Sequence, residues 1–90
     1  MYIEVNNTAG ITRTLAEMGT MYMDRFQDWS TQGDLSMAAM ALSDLADCMN
    51  VLHLIQTKKT GPATDALYQM DTSPREYLYE ALERNGVIQD

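Results

Sequence analysis

The chain is short of the residues that most chemical sites depend on: one cysteine, one histidine, two prolines, and six Lys and Arg against thirteen Asp and Glu. A lone Cys48 excludes an intrachain disulfide. Together with eight methionines and no signal-like start, it points to a reducing compartment, with the cytoplasm as the expected location. His53 is the only ordinary base for neutral pH, and Asp44 and Asp47 lie well round the helix from it at about 100° per residue. No Glu-x-x-His pair of the kind that builds metal sites in helical bundles is present, and no G-x-x-x-x-G-K-[ST] loop. These gaps predict a protein that is not an enzyme and carries no metal or cofactor.

The shortage of cations leaves a formal charge of −7, which repels phosphate backbones and anionic membranes. Direct nucleic-acid binding is not expected. Unbroken apolar runs reach only a few residues, against the roughly 20 needed to span a bilayer, so no transmembrane segment is expected either. The carboxylates are dispersed along the chain. They read as a solvating surface, or as a face that meets a basic partner or imitates DNA.

What remains is helical patterning. Ile11, Leu15, Met18, Tyr22, Phe26 and Trp29 recur at steps of three and four, predicting an amphipathic helix over 8–31 opened by Asn7 or Thr8 and closed before Gly33. Gly19 interrupts it, at roughly 1 kcal/mol relative to Ala, and offers another backbone a place to approach. Gln32-Gly33-Asp34 is a short turn, so the next helix, over 34–58, is expected to run antiparallel to the first. That second helix has almost no polar face. Ala38, Leu42, Leu45, Met49 and Leu52 form one apolar stripe, and Met37, Ala41, Cys48, Val51 and Ile55 form another beside it.

Thr60-Gly61-Pro62 stops the second helix, and Pro62 is expected to begin a short helix over 62–70 with Ala66, Leu67 and Met70 inward. Ser73-Pro74-Arg75-Glu76 reads as a capping box for a helix over 74–84 with Leu78, Ala81 and Leu82 on its apolar edge, ended by Asn85-Gly86. Met1 to Val5 alternates like an extended arm that either lies over the helices or pairs with a copy of itself or a partner.

Two places invite function. Met37 and Met40 straddle the margin of the apolar band, with Asp44 and Asp47 further along, and flexible thioethers beside carboxylates suit a docking surface. Lys58, Lys59 and Thr60 form the most phosphate-friendly segment, with Tyr68, Tyr77 or Tyr79 available to stack on a base. Cys48, inside an apolar stripe, reads as an unreactive packing residue.

The expected architecture is therefore all-α: an antiparallel helical hairpin with one or two short C-terminal helices, in a single domain over 1–90. A chain this short buries only about 64% of its unfolded surface, so the expectation is a homodimer completing a four-helix core, with cover of the second helix by the short C-terminal helices of the same chain as the alternative. The expected function is that of a non-enzymatic module that binds and modulates or inhibits a protein partner. The alternative is an oligomer that binds or sequesters a small ligand or nucleotide phosphate through Lys58 and Lys59.

Overall fold

A computed structural model describes residues 1–90 in the order β1 (Tyr2–Ile3), α1 (Thr8–Thr31), α2 (Leu35–Gln56), α3 (Thr60–Gln69), α4 (Thr72–Arg84) and β2 (Ile88–Gln89). With 77% of the residues in four helices, the chain is all-α apart from a minor two-strand ribbon.

α1 starts where Asn7 accepts a hydrogen bond from the Gly10 amide at 2.9 Å. It ends at Gly33, whose φ of +79° lets the Asp34 amide return to the Trp29 carbonyl at 2.9 Å. Asp34 then caps α2 by accepting from the Met37 amide at 3.0 Å. α1 and α2 pack along one another more extensively than any other pair of elements, α3 packs on α2, and α4 reaches both long helices.

The two stripes of α2 fare differently. Ala41, Cys48, Val51 and Ile55 are buried, with Met37 half-buried at the end of their row. In the other stripe only Ala38 and Leu52 are buried, while Leu42 and Met49 remain 41% and 50% exposed. Lack of a long unbroken run understated this helix. By length and composition α2 is able to cross a bilayer, although a third of it is buried in the fold against the other helices.

Several expected boundaries move. α3 begins at Thr60, with Pro62 still inside the first turn, where its missing N–H costs nothing. α4 begins at Thr72, so Ser73 and Glu76 form no capping box, and its N-cap Asp71 makes no side-chain capping bond. The N-terminal arm neither lies free over the helices nor waits for a copy. β1 pairs antiparallel with β2, Tyr2 opposite Gln89 and Ile3 opposite Ile88, and the Glu4 amide donates to the Val87 carbonyl at 2.7 Å. The signal for β2 was the β-branched pair Val87-Ile88 after the helix-ending Gly86; both side chains are fully buried.

Asn7 ties this ribbon to the helices. Its Nδ2 donates to the carbonyls of Asn85 and Gly86, each at 3.1 Å, while its Oδ1 caps α1. Gly10 makes room for that crossing, since a Cβ there would collide with the Asn85 carbonyl oxygen. No such approach occurs at Gly19, where a Cβ would meet open space.

Candidate interaction surface

Met37, Met40, Asp44 and Asp47 follow one another at steps of three, four and three, which places them in a row along one side of α2. Met40 is 54% exposed and Asp47 is exposed, while Met37 and Asp44 are half-buried. A shallow depression lies at each end of the row. One, of about 370 Å³, is lined by Arg25, Asp28, Trp29, Gln32 and Met37. The other, of about 200 Å³, is lined by Asp47, Asn50, Ala66, Gln69 and Met70.

The electrostatics of the row centre on Asp44. Partial burial raises its carboxyl above the usual range, Asp47 and Asp71 add to the rise, and Arg25 opposes it. Arg25 stands with its guanidinium 4.9 Å from the Tyr77 ring centre and 5.5 Å from that of Tyr22, a cation held by two aromatic faces. Tyr22 is fully buried, its hydroxyl has no hydrogen-bond partner in the protein, and burial pushes its ionisation upward. The Cys48 thiol is pushed up to about 12 by burial first and then by Asp44 and Asp47, so at neutral pH it is a packed, neutral group.

Arg25 and Asp71 were not singled out in the sequence, and Tyr22 and Trp29 were read only as members of the apolar stripe of α1. Tyr22 and Arg25 at i, i+3 are a local signal for their contact. Tyr77 reaches Arg25 only through the packing of α4.

The phosphate-friendly residues are spread out. Lys58, Lys59 and Thr60 are exposed at the end of α2 and the start of α3. Tyr68 is 56% exposed eight residues further along α3, about 12 Å along the axis at 1.5 Å per residue. It lines a depression of about 370 Å³ with Arg75, Glu76, Tyr79 and Glu80, and neither lysine is in its wall. Tyr77 faces Arg25 instead, and Tyr79 donates its hydroxyl to Asp90. His53 is exposed on α2, and no three His, Cys, Asp or Glu side chains converge into a group able to hold a metal ion.

No protein-family model, curated protein or solved structure matches the chain.

Proposed function

We propose that the protein is a non-enzymatic interaction module, in which α1 and α2 act as an antiparallel hairpin and the row Met37, Met40, Asp44, Asp47 docks a protein partner and modulates or inhibits it. One observation carries this reading: between Met23 and Met37 no residue is buried, although the segment includes Phe26, Trp29 and Leu35. α4 reaches that end of the two long helices through Tyr77 on Arg25, in a molecule 41 Å long and 23 by 21 Å across. Apolar surface left uncovered beside carboxylates suits a partner with an apolar centre and a basic rim.

The raised Asp44 carboxyl supports the same reading. A cation from a partner would relieve the repulsion that Asp44 receives from Asp47 and Asp71. A DNA-like negative surface is the special case in which the basic rim belongs to a nucleic-acid-binding protein.

The test is affinity capture from the native host with the unmodified chain and with Met40→Asp, followed by titration of the recovered protein. A stoichiometric partner is expected, its Kd rising about tenfold or more with Met40→Asp and rising with salt. Unchanged affinity in the variant, with circular dichroism showing it folded, removes the row from the binding surface.

A further inference from the structure

A second row on α2 is distinct from the docking row. Leu35, Ala39, Leu42, Ala46, Met49 and His53 are all exposed, and they follow one another at steps of four, three, four, three and four. This is the spacing of a coiled-coil seam. Leu35, Leu42 and Met49 remain 72%, 41% and 50% exposed. On α1, Leu15 and Met23 are 41% and 39% exposed on either side of the open position at Gly19. α1 turns Thr14 and Glu17 towards α4, where Asn85 bonds both, so Leu15, Gly19 and Met23 lie on the side away from it. Together the two rows form one open face across both long helices.

We propose that this face is the contact between two copies of the chain, with each α2 antiparallel to the other about a two-fold axis level with Asp44. The side-chain sizes support this occupant. An antiparallel pair centred there sets Leu35 opposite His53, Ala39 opposite Met49, and Leu42 opposite Ala46 of the second copy, then repeats these pairs in reverse. In the two inner pairs a long aliphatic side chain faces an alanine, and in the outer pair Leu35 faces an imidazole, so the row is complementary to itself, as an isologous two-fold contact requires. Alanine at every seventh position brings the helix axes towards the near end of the 8–10 Å range.

Charge points to the same occupant. Each copy carries −7, yet the row contains no carboxylate. Ser36, Ser43 and Asn50 flank it on one side, and Ala38, Leu45 and Leu52 on the other. Asp44 and Asp47 lie more than 100° round the helix from its centre. A basic protein would find nothing to pair with on this face, whereas a second copy brings an equally uncharged one. From Leu35 to His53 the row is about 27 Å long.

Sedimentation equilibrium on the whole chain over a range of concentrations tests the proposal. The expected mass is twice the 10.1 kDa of one chain, and added salt strengthens association by screening the net charges. This response is opposite to that expected for the docking row, so the two readings fail separately. Leu42→Asp is expected to weaken the dimer about 100-fold or more while leaving the helical circular dichroism intact, since Leu42 is already 41% exposed in the single chain.

Register is tested by mixing chains carrying Ala39→Cys with chains carrying Met49→Cys. Oxidation should give the mixed disulfide in preference to either like pair. A single-chain mass at every concentration, preferential like pairs, or a monomer that floats with phosphatidylcholine vesicles through this face would each overturn the proposal.

Discussion

Asn7 shows at the residue scale how much one side chain decides. It caps α1 with its oxygen and holds the segment after α4 with its nitrogen, so two backbone carbonyls and one backbone amide depend on it. Asn7→Ala is expected to lower the unfolding free energy by about 1–3 kcal/mol, combining a lost cap with orphaned, partly buried carbonyls; urea denaturation checks this. Asp44 gives the opposite sign. Its carboxyl is raised in the fold, so its favourable contribution is fully present below the unfolded value, about 3.9, and is lost as pH rises through the raised value. At neutral pH the ionised group is therefore a net cost. Asp44→Asn should raise the melting temperature by about 2–4 °C at pH 7, with the gain fading below about pH 4. Thermal melts at both pH values decide it. The ion pair of Glu17 with Arg84 is mostly solvent-exposed and contributes about 1 kcal/mol at most.

At the scale of elements, the ends of the helices were legible with uneven success. Asn7, Asp34, Gly33 and Gly86 act where their side chains or backbone freedom suit a terminus, because capping is local chemistry. The capping box at Ser73 did not form, since α4 extends back to Thr72 and its N-cap falls at Asp71. Lys58 was readable as a cation at the end of α2, but its backbone role was not. It adopts φ +65°, the left-handed position that glycine usually takes, and lets the Lys59 amide close on the Leu54 carbonyl at 2.8 Å. Lys58→Gly should therefore stabilise the fold by about 0.5–1 kcal/mol, measured as an upward shift of the urea midpoint with unchanged slope.

For the whole molecule, the core is assembled by a layer of α1 and α2 and closed from one side by α3, α4 and the terminal ribbon. Val87 and Ile88 are as deeply buried as Leu78 and Leu82, so the segment after α4 contributes to the core. Ile88→Ala is expected to cost about 2–4 kcal/mol and to free the N-terminal arm in the same cooperative transition. Amide exchange at Glu4, which donates to Val87, reports the second effect. The opposite side of the layer has no such cover. Eighteen of the buried residues are apolar, while the row from Leu35 to His53 stays exposed.

The sequence by itself determined the helical class, a cap at Asn7 or Thr8, the turn at Gly33 and the inward edge of Leu78, Ala81 and Leu82. Each depends on periodicity or on a residue acting within a turn of its own position. It also showed that α2 has almost no polar face. Which of its apolar rows would be covered was decided only by tertiary packing, because on a helix apolar nearly all round periodicity names no single inward direction. The same limit hid the pairing of Ile3 with Ile88 and the stacking of Arg25 on Tyr77, contacts between residues far apart in the chain. Tertiary structure also separated two surfaces that the sequence had merged: an acidic, methionine-bearing row, and an uncharged row of alternating large and small side chains.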